Sequence, residues 1–265
     1  MNTYAEEIAA GERFSFGANW ERFQRALSED RIFSAEASLR AMLEVESLEG
    51  KSFLDVGSGS GIISLAARRM GATVRSFDYD LQSVNCAREL KRRNFHGDPS
   101  WIIEQGSVLD SAFLARLGQF DIVYAWGVLH HTGNLWQALE NVSPLVARGG
   151  HLFIAIYNDQ GWLSQYWRAI KVAYNKSPWL RGYVIALHWP YLVGLRWIVR
   201  RLTCRPLERG MTLTHDMADW LGGLPFEVAR VDALVEFYRK RGLIPVRIKI
   251  VGRRHGCNEL VFVRP

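Results

Sequence analysis

Leu54-Asp55-Val56-Gly57-Ser58-Gly59-Ser60-Gly61 is the stretch on which the reading of this chain turns. Residues 52–56 form an apolar run of strand length, glycines follow at alternate positions, and residues 62–70 then recur at helical spacing. Strand, glycine turn and helix in that order place a backbone loop where amides can approach a ligand with no Cβ in the way. Glycines at 57, 59 and 61 depart from the G-x-G-x-x-G of dinucleotide folds, which argues against a nicotinamide cofactor.

The alternation continues outward from this turn. Residues 73–77, 101–105, 120–125 and 151–157 read as strands, with helices over 81–93, 111–117 and 135–146, the last stopped by Gly149-Gly150. A helix over 28–48 precedes the first strand. Near the end, a helix over 231–241 leads to strands 244–251 and 259–263 around a polar turn, an antiparallel hairpin at one sheet edge. The class is α/β: a doubly wound, mostly parallel seven-stranded sheet with an antiparallel C-terminal hairpin and a helical lid inserted after the fifth strand. A single domain over 1–265 is expected, made of a helical cap (1–48), a ligand-binding core (49–159), an aromatic and basic helical insertion (160–226) and the end of the core (227–265).

The 265 residues, 48% hydrophobic, suffice for one large core. No apolar run follows a positive start, so no secretory signal is expected. Cys86, Cys204 and Cys257 lie far apart and suit neither a disulfide framework nor a metal site, which points to buried thiols in a reducing cytoplasm. The formal charge of +6 is compatible with nucleic acid, anionic lipid, an acidic substrate or a plain soluble surface.

Residues 54–61 resemble motif I of the class I S-adenosylmethionine-dependent methyltransferases, and the strand order fits that family from Lys51 to Pro265. The resemblance implies S-adenosylmethionine as cofactor and S-adenosylhomocysteine as product. It places Gly57, Ser58, Gly59 and Gly61 against the methionine and ribose portions, Asp55 toward the ammonium group, and Asp78 on both ribose hydroxyls, with Asp80 a weaker rival. Tyr79 or Val108 would flank the adenine. The family often has an acid after the third strand's glycine to bond the adenine amino group; here Ser107 follows Gly106 and is the cofactor-binding candidate at that place, while the acid's own role does not carry over. Trp126 would line the methionine end with its ring or else pack the core.

Residues 125–134 resemble the segment after the fourth strand in small-molecule O-methyltransferases of the ubiquinone-biosynthesis type. There an acid precedes a histidine; here His130 stands in the acid's place and His131 matches the histidine. Methyl transfer asks the protein for alignment, water exclusion and, where needed, deprotonation of the acceptor. An imidazole with pKa ~6.5 suits that last task, so His131 or His130 is the candidate base; the competing reading has them spacing the turn. A hydroxyl acceptor should then lose rate near pH ~6, whereas a carboxylate acceptor needs no base. Tyr157, Trp20 and the pair His215-Asp216 are further candidates for the acceptor pocket. The acidic cluster of magnesium-dependent catechol enzymes is missing, so no metal is expected.

Between 160 and 210 the chain carries nine bases (Arg168, Lys171, Lys176, Arg181, Arg196, Arg200, Arg201, Arg205 and Arg209) against Glu208, amid many tryptophans and tyrosines. Three readings stand: a basic lid for an acidic acceptor, a peripheral membrane-surface helix, and a homodimer interface, with packing and dimerisation favoured. Phe14, Phe16, Trp20 and Phe23 form a second aromatic group that would fold over the cofactor or dock on the core. The expected partner is a small molecule, aromatic or acidic. A non-catalytic cofactor-binding protein and an RNA methyltransferase are the rivals, although no motif of the nucleic-acid enzymes follows the fourth strand.

Overall fold

The run at 52–56 is β1 (Ser52–Val56), at the centre of the computed structural model, which describes residues 4–25, 27–195, 197, 217, 220–252 and 256–265. Parallel to it run β2 (Thr73–Asp78), β3 (Trp101–Gln105), β4 (Phe120–Trp126) and β5 (Val146–Tyr157). β6 (Ile244–Lys249) and β7 (Cys257–Val263) complete the sheet as an antiparallel hairpin, β7 pairing with β5. The order β3-β2-β1-β4-β5-β7-β6 reverses direction between β1 and β4, which opens a crevice at the carboxyl ends of those strands.

Helices bury both faces because neighbouring strand residues point oppositely and both are apolar. On one face α3 (Glu29–Leu43), α4 (Ile62–Arg69) and α5 (Leu81–Asn94) pack on Phe53, Val74, Trp101, Tyr124 and Phe153. On the other, α6 (Ser111–Ala115), α7 (Leu135–Val142) and α10 (Val231–Arg239) pack on Leu54, Val56, Phe77, Val123 and Phe262. Each such buried side chain is worth about 1.5–3 kcal/mol.

Two expected boundaries are corrected. The helix from 135 ends at Val142, because Pro144 starts a separate 3-10 turn (Ser143–Leu145), and β5 begins at once with Val146. Gly149-Gly150 is therefore no helix stop: it lies inside β5 beside the register shift at Phe120/Ile122, Gly149 with φ 74°. The helix over 28–48 stops at Leu43, where Glu44 takes a left-handed conformation (φ 57°).

The insertion contributes α8 (Trp162–Lys176) and α9 (Pro178–Trp189), continued by a π-helical turn (Pro190–Leu195). Trp167, Tyr174, Val184, Leu192, Leu221 and Phe226 form its own small core, packed on Tyr157 and Phe14. Several other aromatics face outward: Trp179 is 93% exposed, Trp162 76%, and Tyr183, Trp189, Tyr191 and Trp197 are exposed too. Among the described residues no helix is long and apolar enough to cross a membrane. α1 (Tyr4–Ala9) and α2 (Phe16–Arg25) lie over the crevice, α2 against α5. Cys204, His215 and Asp216 lie outside the described residues.

Candidate functional site

The glycine turn is held on β2 by the Phe77 carbonyl, which accepts from Gly57 N (2.9 Å) and Ser58 N (3.0 Å). Gly57, Gly59 and Gly61 all take left-handed φ, and a side chain at Gly57 would collide with Val128. Asp78 faces this loop from the end of β2. Its Oδ2 accepts from Gly59 N and its Oδ1 from Asp80 N, each at 2.9 Å, which leaves acceptor capacity for hydroxyl donors. Burial pushes its carboxyl up to about 6 against the pull of these amides.

Asp55 is buried beneath the turn and accepts from the Ser64 hydroxyl (2.6 Å). Burial, with the Asp78 charge added, raises it to about 7. Its visible partner is therefore Ser64 of α4. Ser58 is the complement of Asp55: its hydroxyl is buried with no hydrogen-bond partner, an orphan in the middle of a ligand-type loop.

Around this centre the other expected contacts spread. Tyr79 meets the edge of Tyr4 (5.3 Å between centroids) and the Arg13 guanidinium (5.3 Å). Val108 is buried in the core, and the Ser107 hydroxyl accepts from Leu109 N (3.1 Å). The Trp126 indole donates to Glu259 Oε1 on β7 (3.1 Å), which tethers the ring toward the hairpin.

The N-terminal segment closes the crevice through Asp80. This N-cap of α5 accepts from Gln82 N (2.9 Å), Gly17 N (2.8 Å) and the Tyr4 hydroxyl (2.6 Å). Burial and the Asp80 carboxylate both drive the Tyr4 phenol well above its ordinary value. Asp80 thus anchors α1 and α2. Trp20 lies over the glycine turn, so that the first side-chain atom at Gly59 would come within 2.9 Å of its indole nitrogen.

Beyond β4, residues Leu129–His131 form a 3-10 turn that brings both histidines under the insertion. His130 is 0% exposed, and its ring lies 4.0 Å from that of Tyr157. The His131 Nδ1 is 2.7 Å from the Pro225 carbonyl. A carbonyl only accepts, so Nδ1 carries the proton and Nε2 keeps the lone pair. Phe16 packs 4.9 Å from this ring, and Arg13 donates to the His131 carbonyl (2.9 Å).

Burial, then the Lys171 charge, depresses His131 to about 3; His130 falls well below its ordinary value through burial, His131 and Lys171. The rate loss near pH ~6 expected from histidine protonation is therefore misplaced, because these imidazoles stay neutral through that range. Sequence reasoning missed Lys171 as a member of this cluster. It also missed Glu227, whose amide donates to the His130 carbonyl (3.0 Å) and whose Oε1 accepts from Leu135 N (3.1 Å). Among the described residues no group of three or more His, Cys, Asp or Glu could hold a metal ion.

Residues 54–154 match the family model described as a methyltransferase domain. The ubiquinone biosynthesis O-methyltransferase of Cupriavidus pinatubonensis is 28% identical over 77% of this chain and 65% of its own length; that of Ralstonia nicotianae is 29% identical over 76% and 66%. The chain thus spans less than two thirds of the length of these relatives, and under half of that of the Bordetella avium enzyme of the same name. The magnesium protoporphyrin IX methyltransferase of Synechocystis, solved with bound SAH, superposes with a TM-score of 0.53 at 15% identity, covering 100% of this chain and 89% of that one, a likeness of fold.

Proposed function

On the premise that this chain carries a class I S-adenosylmethionine-dependent methyltransferase domain, we propose that it methylates an oxygen of a small-molecule acceptor. The observation that carries this reading is the orphaned Ser58 hydroxyl inside a left-handed glycine turn that faces the Asp78 carboxylate, with the histidine cluster at the same sheet edge. Ser58 and the turn's backbone would hold the methionine end, and Asp78 the ribose hydroxyls. S-adenosylmethionine supplies, when bound, a methyl group on sulfur with a good leaving group.

The chain's own residues do the rest. Trp20 and Phe16 close the crevice and exclude water, Asp80 holds them there, and His131 offers a fixed lone pair at the acceptor side. The exposed tryptophans and tyrosines of α8 and α9, interspersed with bases, favour a cytoplasmic protein working at an anionic membrane surface over an insertion packed on itself. Incubation with methyl-labelled S-adenosylmethionine and a panel of phenols and carboxylic acids tests the activity. Label in an organic-extractable product is expected; cofactor binding without transfer to any acceptor would favour the non-catalytic rival.

A further inference from the structure

The two edges of the sheet differ in how they are guarded. β6, at one edge, carries Pro245 and Lys249 and shifts register between Pro245 and Arg247; proline, lysine and a bulge each deter a further strand from pairing there. β3, at the other edge, has neither proline nor lysine and keeps unbroken register with β2 from Trp101 to Gln105. Two flanking bonds fix which way its backbone groups point: the Ser100 carbonyl accepts from Val74 N (2.7 Å), and Gly106 N donates to the Asp78 carbonyl (3.0 Å). Residues of a parallel strand face its two sides alternately, so Ile102 and Glu104 also bond β2, while Trp101, Ile103 and Gln105 aim their amides and carbonyls away from it. Lys91 of α5 donates to the Trp101 carbonyl. The outward backbone groups of Ile103 and Gln105 have no such partner among the described residues.

A groove of about 470 Å³ runs along this edge, floored by Ile102 and Ile103 and walled by Arg88, Lys91, Arg92 and His96. The acids of these elements are engaged elsewhere. Glu89 holds both Arg92 and Arg93 (2.7 Å each), Asp98 holds Arg68 (2.6 Å) near Lys91, and Glu104 holds Arg75 (2.7 Å). Arg88 is exposed, and its guanidinium makes no ion pair or hydrogen bond among the described residues. The Trp101 and Ile103 side chains pack on the α5 face of the sheet, which puts Ile102 on the other, where it is 47% exposed.

We propose that β3 is a docking edge for an extended, acidic segment of a partner protein, which joins the sheet as an eighth strand. Backbone bonds form to Ile103 and Gln105. Side chains of the added strand alternate between the two faces, so carboxylates on the α5 side reach Arg88, which offers them a paired donor fork, and apolar groups on the other side cover Ile102. A second copy of this chain fits worse, because pairing β3 with itself sets one Arg88 wall against another. A single-stranded nucleic acid fits worse too: such ligands stack bases on exposed rings, and Trp101, the tryptophan that lines the groove, is 0% exposed.

The probe is a fluorescein-labelled, N-acetylated peptide of alternating glutamate and valine, about eight residues long, the reach of an ordinary strand. It is titrated into the full chain and followed by anisotropy, with amide exchange read residue by residue. The expected result is saturable binding that slows exchange at Ile103 and Gln105 and weakens as salt rises. Arg88→Glu should bind at least ~10-fold more weakly. Ile103→Pro, which removes an outward amide that β2 does not use, should abolish binding with thermal unfolding unchanged. A matching peptide with its central valines replaced by proline should not bind. No binding of the first peptide, equal binding of the proline peptide, or unaltered exchange at Ile103 and Gln105 would each overturn the proposal. So would tighter binding of single-stranded oligouridylate in the same groove, or a dimer that Ile103→Pro dissolves. Should Ile103→Pro not fold, exchange in the wild type decides.

Discussion

Asp55 and His131 are both buried titratable residues, and they move stability in opposite directions with pH. Asp55 is raised from 3.8 to about 7, so between those values the folded state holds a proton that the unfolded state releases, and stability falls as pH rises. Asp55→Asn should therefore unfold a few degrees above the wild type at pH ~8, at ~2–4 °C per kcal/mol, and the two should converge toward pH ~4 as the ordinary aspartate value is approached. Calorimetric melts at both pH values check this. His131 is lowered from 6.5 to about 3, so the unfolded state takes up the proton first and stability is lost as pH falls through that window. His131→Gln should remove that acid slope. In turnover its loss should cost about tenfold in kcat, short of the 10²–10⁴ of a general base, and the wild-type rate should show no histidine step near pH ~6.

Among the elements, the N-terminal segment depends on one carboxylate. Asp80 binds Gly17 N and the Tyr4 hydroxyl while it caps α5, and hydrogen bonds to a charged group contribute about 1.5–3 kcal/mol each. Asp80→Ala should release residues 4–25 to proteolysis and amide exchange while β1 to β5 keep their protection. What was legible in the sequence follows the same division between near and far. The glycine turn and the end of β2 could be read because strand, turn and helix are local patterns, and the antiparallel hairpin because one polar turn joins two strands. Gly149-Gly150 misled because a glycine pair after a helical period looks alike whether it stops a helix or relieves a bulge. The histidine cluster was half legible: His130 and His131 stand together in the chain, but Arg13, Tyr157, Lys171, Trp220 and Phe226 meet them only through tertiary packing. The signal for Lys171 was present, as a base inside the buried period of α8, and the abundance of exposed bases around it hid it.

At the scale of the whole molecule the sheet opens a crevice at its switch point, the N-terminal helices lie over it, and the described part of the insertion turns several tryptophans and tyrosines outward. Trp179→Ser with Tyr183→Ser should weaken co-sedimentation with vesicles of anionic lipid at least severalfold without lowering stability; unaltered vesicle binding would return that face to the homodimer reading, which light scattering would reveal. The central claim is the cofactor. Calorimetric titration of the wild type and Asp78→Ala with S-adenosylmethionine and S-adenosylhomocysteine tests it most directly. The account predicts binding of both at one site per chain, weakened ~10–100-fold in Asp78→Ala by the loss of hydrogen bonds to the ribose; a folded wild type that binds neither would contradict it and leave the glycine turn a plain connection between strand and helix.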